Sequence, residues 1–469
     1  MGAPGVATIG EELRRAIVGV ECRVPVAGGE REFINLDHAA STPPFVAVLA
    51  AVNALAPWYA NVHRGAGFKA RLSSTAFEAA REEIHQFIGA DQHDDVTLFT
   101  RNTTEGVNHL AATLEFGPES VVLVSGMEHH SNDLPWRRVA RVIHVDLTPD
   151  GAIDEADLQG KLHHWRGKVR LLAITGASNV TGLVNPVHRY ARWTHAAGAE
   201  ILVDAAQLAA HRPIRMHQGP AAEHLDYVVF SGHKLYAPFG VGVLAGPRRR
   251  LTGKTPYQVG GGTVDLVDRE LVSWTTLPDR EEGGTPCVLG AVALAAATRE
   301  YHRLGWDAIK DQEHRLTRHA WQALAQISGL TLYALSPGDR LGVIAFNLEG
   351  KPHALLAAIL SHEWGIGSRS GCFCAHPYLQ HLLEIDDARM AGIRAEMASG
   401  DRSGVPGAVR VSFGLGTPLD EVDTLVTALS EVARGRHRHD YLIDRATGDC
   451  LPRGTSAPDY SRFLAGPHG

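Results

Sequence analysis

The chain has 469 residues, 44% hydrophobic and 21% charged, which suffices for a large core divided into two or three units. A formal net charge of −7 sets aside nucleic acid and anionic membrane as partners, and no apolar run approaches the roughly 18 residues of a spanning helix. Five cysteines (Cys22, Cys287, Cys372, Cys374 and Cys450) are too few and too unevenly spaced for a disulfide framework, so a cytoplasmic setting is expected.

At the N-terminus, MGAPGVATIGEELRRAIVG carries two glutamates and no apolar core, unlike a secretory signal. Residues 1–32 are expected to pack on a smaller C-terminal unit. From Val96 to Gly246, short apolar runs alternate with helical patterns. Val96–Thr100 reads as a strand, and Val107, Leu110, Ala111 and Leu114 then fall at i, i+3, i+4 and i+7 of a helix. Val121–Ser125, Val142–Leu147, Arg170–Thr175, Ile201–Val203 and Tyr227–Phe230 are further strand-like runs. Strands apolar on both faces and separated by helices predict a largely parallel sheet covered on both sides. That is an α/β domain over 33–300, with ligands at the carboxyl ends of its strands.

Beyond residue 300 the pattern changes. A long helix is expected over Arg299–Ile327, then a strand at Gly342–Leu348 and a helix at Pro352–Trp364. Ala391–Gly407, rich in Gly, Ser, Arg and Asp, reads as an inserted loop. Val409–Phe413 reads as a strand. Thr417 reads as the cap of a last helix, with Pro418 in its first turn and Asp420 and Glu421 near its positive end. This predicts a smaller α+β domain over 301–435, followed by an extension, 436–469, of little periodicity.

The chemically suggestive residues sit at the strand ends. Lys234 stands in a Ser-Gly-His-Lys turn directly after Asp226–Phe230, where a lysine is poorly solvated and its amine nucleophilic. Ser231, His233 and nearby glycines can approach a phosphate closely. Together they point to pyridoxal phosphate held on Lys234 as a Schiff base; the competing reading is a solvated surface turn. Asp204, closing EILVDAAQ, can pair with the cofactor's pyridine nitrogen, although alone it could be a helix N-cap. Gln207 could reach the phenolic oxygen. Thr103 and Thr104 open a helix after a strand, an arrangement that binds anions but is weak evidence by itself. His129 in MEHHSN could stack on the cofactor. A metal at His129–His130 is disfavoured because no third ligand is evident, and no metal site is expected.

An ordered series of motifs then identifies the chain with a family. NLDHAAST at 35–42, NVHRGAG at 61–67, TRNTTEGVN at 100–108 and MEHHSNDLPW at 127–136 resemble cysteine desulfurases of the SufS type. SNVTGLVNPV at 178–187, VDAAQ at 203–207, FSGHKLYAPFGVGVLAG at 230–246, EGGTP at 282–286 and RSGCFCAHP at 369–377 extend the likeness over about 33–430. These are class V aminotransferase-family enzymes of pyridoxal phosphate fold type I. The resemblance implies Lys234 as the Schiff-base lysine, His129 on the ring face, Asp204 on the pyridine nitrogen and Gln207 on the phenolic oxygen. It implies Thr104, Ser231 and His233 on the phosphate, and Asn179 and Arg410 on the substrate carboxylate with Arg369 nearby. It also implies a homodimer, in which Thr285 and the His63–Arg64 pair reach the neighbouring site.

In such desulfurases a loop cysteine takes sulfur from the substrate, and Cys374 stands at that place. The implied reaction is L-cysteine to L-alanine, with selenocysteine as a related substrate, a persulfide on Cys374 and transfer of sulfur to an acceptor protein. The thiolate is the required form. The alternative is an aminotransferase, epimerase or lyase of the same family acting on another amino acid. One departure is Cys372, where the family carries a histidine; the resulting Cys-Phe-Cys resembles the loop of molybdenum-cofactor sulfurases. Cys372 is read as a second sulfur carrier, a resolving thiol or a small loop residue. Zinc is disfavoured because Cys-x-Cys-x-His is cramped.

Overall fold

The computed structural model describes residues 9–63, 65–253, 255–334, 338–456 and 458–464. Seven strands form the large sheet, in the order Asp95–Thr100, Gly242–Pro247, Tyr227–Ser231, Glu200–Asp204, Val169–Thr175, Val121–Ser125 and Arg141–Val145. All pairings are parallel except those of Gly242–Pro247, which runs antiparallel to both its neighbours. The mainly parallel sheet expected from the continuous apolar runs is therefore present. Val122, Val124, Leu171, Leu202 and Val229 pack on one face with Val107 and Leu110 of the helix Thr103–Thr113. Leu123, Leu172, Ile201, Val203 and Phe230 fill the other face. Each such buried side chain contributes about 1.5–3 kcal/mol.

Gly242–Pro247 escapes a sequence reading because two of its six residues are glycine. Packing requires one of them: a Cβ on Gly242 would lie 2.6 Å from Asn102 Cα. That close approach seats the start of the helix Thr103–Thr113 against the strand beside Ser231.

A second, antiparallel sheet runs Leu330–Leu332, Val343–Leu348, Ala408–Ser412, Arg369–Gly371. Ile344, Phe346, Val409 and Val411 pack there with Leu316, Leu356, Val422 and Leu425 of three helices, Trp306–Leu324, His353–Trp364 and Leu419–Ala433. Near the N-terminus, Ile34–Asn35 pairs in parallel with Ile366–Gly367, and Arg14 forms an ion pair with Glu421 at 2.7 Å. No described helix is long and apolar enough to cross a membrane.

Three local expectations need correction. The long helical stretch expected around Arg299–Ile327 falls in two helices, Val288–Leu304 and Trp306–Leu324, divided at Gly305, whose φ of +82° ends the first. Thr417 does not cap the last helix; its hydroxyl accepts from the Gly414 N–H, and Pro418 stands at the N-cap without a side-chain bond. The segment expected as an inserted loop begins inside a helix, Asp387–Ala398, which Asp386 caps by accepting from the Arg389 N–H. Ile393 is the buried residue of that helix, so its sequence carries no amphipathic signal. In the extension, Tyr441–Ile443 pairs with Cys450–Pro452 as a hairpin, tied down by Tyr441 Oη donating to Glu363 at 3.0 Å.

The loop at 282–286 is fixed by charge. Glu282 accepts from Arg81 Nη1 at 2.6 Å, Arg81 Nη2 at 2.9 Å and the Phe99 N–H at 2.6 Å, and both charged side chains are buried. Arg81→Met strands that carboxylate and should cost about 3–5 kcal/mol in urea unfolding. Arg299→Met, which breaks an exposed pair with Glu83, should cost less than about 1 kcal/mol.

Candidate active site

The carboxyl ends of the parallel strands open into a cavity of about 440 Å³. Asp204 is the last residue of its strand, and Lys234 closes the single 3-10 turn that follows the neighbouring one. Thr103 opens its helix, where the Asn102 side chain accepts from the Glu105 N–H at 2.9 Å. Ser231 Oγ accepts from the Thr103 N–H at 2.8 Å and lies 2.7 Å from Thr103 Oγ1. Thr104 Oγ1 lies 2.7 Å from Ser131 Oγ. Four hydroxyls thus gather at a helix N-terminus, an arrangement suited to a phosphate.

Burial drives the electrostatics. It holds the Lys234 amine down at about 8, with Arg410 adding to the effect and Asp204 and Cys374 opposing it. Burial also raises the Asp204 carboxyl, against the Ala206 N–H bond and the charge of Lys234. Asp204 Oδ1 accepts from that N–H at 2.9 Å, and no described donor reaches Oδ2. His129, lowered to about 4 by burial and then by Lys234, is a neutral ring whose Nδ1 accepts from the Ser131 N–H. His233 is lowered to about 4 for the same two reasons. Gln207 Nε2 donates to Ala39 O at 2.8 Å, which orients the amide along the cavity wall.

The cysteine loop leaves the strand Arg369–Gly371. Phe373 and Cys374 have φ of +54° and +55°, the left-handed region that side chains disfavour. Three anchors hold this kink: the His130 N–H donates to Cys374 O at 2.7 Å, Asn179 Nδ2 to Phe373 O at 2.8 Å, and His376 stacks on His130 at 4.9 Å. The Arg410 guanidinium lies over the Phe373 ring, donates to Asn179 O at 2.9 Å, and pairs with Asp37 at 2.7 Å. Its Nε is buried with no hydrogen-bond partner among the described residues.

Lys234, Cys374, His129, Thr103, Thr104, Asp204, Gln207, Ser231, His233, Asn179, Arg369 and Arg410 all line this one cavity. Thr285 does not; it is exposed. His63 lies 3.7 Å from Asp279, also away from the cavity, and Arg64 lies outside the described residues. Among the described residues no group of three or more His, Cys, Asp or Glu could hold a metal ion.

Sequence reasoning overlooks two carboxylates. Asp37 occupies Arg410 and stands 3.9 Å from Arg369. Glu128, pushed up to about 8 by burial, accepts from Ser125 Oγ, the Thr175 N–H and Asn132 Nδ2, and so fixes the turn that carries His129. Each falls inside a quoted motif, NLDHAAST or MEHHSN, but a lone acidic residue in a polar turn reads as solvent-facing.

The aminotransferase class-V family model matches residues 34–425. A probable cysteine desulfurase of Halalkalibacterium halodurans is 36% identical over 359 residues, covering 74% of this chain and 86% of that protein. A cysteine desulfurase of Dickeya dadantii is 36% identical over 387 residues, covering 80% and 86%. Among solved structures, the apo cysteine desulfurase of Thermococcus onnurineus superposes with a TM-score of 0.74 at 29% identity, covering 86% of this chain and 95% of that one. A cysteine desulfurase of Escherichia coli gives 0.75 at 28% identity, covering 92% and 99%.

The depressed Lys234 amine can be measured on protein freed of any bound aldehyde. Reductive methylation at Lys234, read by peptide mass spectrometry, should rise with pH through a midpoint near 8, not the ordinary 10.5. Because Asp204 favours the ammonium, Asp204→Asn should move that midpoint lower still.

Proposed function

The chain belongs to the aminotransferase class-V family, and on that premise we propose that it is a pyridoxal phosphate-dependent cysteine desulfurase. It converts L-cysteine to L-alanine, carries the sulfur as a persulfide on Cys374, and passes it to an acceptor. Its fold is that of the fold type I pyridoxal phosphate enzymes. In this reading 33–300 binds the cofactor and 301–435 supplies the cysteine loop. The observation that carries it is a thiol, Cys374, on the wall of the cavity that also holds Lys234, Asp204 and His129. An aminotransferase or epimerase has no use for a sulfur nucleophile there.

When bound, pyridoxal phosphate supplies a carbonyl that condenses with amines and a cationic ring that accepts electrons from a substrate carbanion. The cavity fits that group. Asp204 is a buried residue whose Oδ2 has no described donor; it suits a protonated ring nitrogen, and the pairing would offset the cost of burying the carboxylate. The hydroxyls of Thr103, Thr104 and Ser231, with His233, suit the phosphate, and Gln207 suits the phenolic oxygen. His129, kept neutral, offers an uncharged flat face.

Lys234 Nζ, a neutral amine above about pH 8, takes the proton from the substrate Cα. Asn179, Arg410 and Arg369 receive the substrate carboxylate, which displaces Asp37 from Arg410 and meets the partnerless Nε. The Cys374 thiolate then attacks the substrate sulfur. The S–S bond forms as the C–S bond breaks, the electron pair left on Cβ takes up a proton, and the Lys234 ammonium returns a proton to Cα, so the skeleton departs as alanine.

A homodimer completes this reading. The hairpin Val264–Trp274 exposes Leu266, Val267, Leu271 and Val272, and just before it Gly261 O accepts from the N–H of Gly284, next to Thr285. A second copy seated on this apolar surface would bring Thr285 toward the neighbouring cavity. A reducing cytoplasm would keep Cys374 as a thiol.

Borohydride reduction after addition of pyridoxal phosphate should fix the cofactor's mass on the Lys234 peptide, and Lys234→Ala should abolish the adduct. Cys374→Ala should keep that adduct yet lose alanine formation from cysteine by more than about 100-fold, as when a nucleophile is removed. Undiminished turnover in Cys374→Ala would exclude the persulfide on Cys374.

A further inference from the structure

The cysteine loop is a wall between two cavities. Cys374 borders the cavity of Lys234 on one side and, on the other, a cleft of about 850 Å³ that Cys372 also lines. Cys372 does not reach the inner cavity. The far walls of the outer cleft come from the helix Asp387–Ala398, the segment 402–407 and the C-terminal hairpin. These are joined: the Arg402 N–H donates to Arg445 O at 2.7 Å, and a Cβ on Gly448 would lie 3.0 Å from Arg402 O.

The cleft is cationic. Lys351, Arg389 and Arg402 line it, and none has an ion-pair partner among the described residues. Asp449 is the sole carboxylate on its described walls. Its volume falls within the roughly 300–1,000 Å³ of small-molecule sites. Three uncompensated cations around such a volume favour an anion.

We propose that this outer cleft is the acceptor subsite, binding a small anionic nucleophile, a carboxylate- or phosphate-bearing thiol, that takes sulfur from Cys374. This rests on the desulfurase reading. The acceptor thiolate attacks the terminal sulfur of the Cys374 persulfide; the bond between the two sulfurs of that persulfide breaks, and Cys374 leaves as a thiolate. The sulfur ends on the acceptor as a new persulfide, with no net oxidation. The His130 and Asn179 bonds keep the loop in place as a wall, so alanine leaves on one side and sulfur on the other.

Two readouts test the subsite. On resting protein, alkylation of Cys372 by iodoacetate relative to neutral iodoacetamide should exceed the same ratio at exposed Cys22. In the double variant Arg389→Glu, Arg402→Glu that ratio should fall roughly tenfold, since two exposed charges are reversed at one cleft. On persulfide-loaded protein, the dianionic thiol mercaptosuccinate should discharge Cys374 at about one tenth the concentration that uncharged 2-mercaptoethanol needs. The double variant should lose that preference while loading Cys374 normally. Equal discharge by the two thiols, or a preference indifferent to the charge reversals, overturns the proposal. Failure of the unaltered protein to load sulfur instead overturns the desulfurase reading, and the Cys372 ratio then decides the cationic character of the cleft alone.

Discussion

A lysine and an aspartate are drawn out of bulk water on the wall of one cavity at the heart of this molecule, and much of the architecture exists to keep them there. Lys234 and Asp204 lie at the ends of adjacent strands, buried by the sheet and its covering helices. Desolvation pushes the lysine toward the neutral amine and the aspartate toward the neutral acid. Each charge partly sustains the other, so neither is fully quenched. A cationic aromatic ring bound there would relieve both tensions: the aspartate would gain a positive partner, and the lysine would be left as a free base.

The surrounding groups follow from that constraint. His129 and His233 are driven neutral by burial and then by the same positive charge, which leaves them as an uncharged flat face and an uncharged hydrogen-bonding group. Arg410 is the second buried cation. It is held by the carboxylate of Asp37. The cysteine loop is bound to the same residues, through Asn179 and through the face of Phe373. The Arg410–Asp37 pair and the posture of the thiol are therefore linked through Asn179 and Phe373.

Much of this is legible in the sequence, for definite reasons. A parallel sheet buries both faces of its strands, so the apolar runs are continuous and conspicuous, and strand ends then mark where ligands can sit. Lys234, Asp204 and Thr103 stand out because a polar residue that closes such a run has few other uses. Gly242–Pro247 is hidden because the glycine that packing demands dilutes its strand signal. The division at Gly305 is hidden because the apolar period continues across it. Asp37 and Glu128 are silent because their partners, Arg410 and the Ser125–Asn132–Thr175 group, are brought to them only by the fold. The outer cleft is the extreme case: its cations come from three separate stretches, and their union depends on a hairpin with almost no periodicity.

The central claim is that sulfur passes from a substrate in the inner cavity to Cys374. Mass spectrometry of the loop peptide 369–377, after brief incubation of the pyridoxal phosphate-loaded protein with L-cysteine and trapping of free thiols, tests it most directly. The account predicts one added sulfur on Cys374, absent in Lys234→Ala. An unmodified Cys374 in protein that still forms alanine, or sulfur appearing first on Cys372, would contradict it.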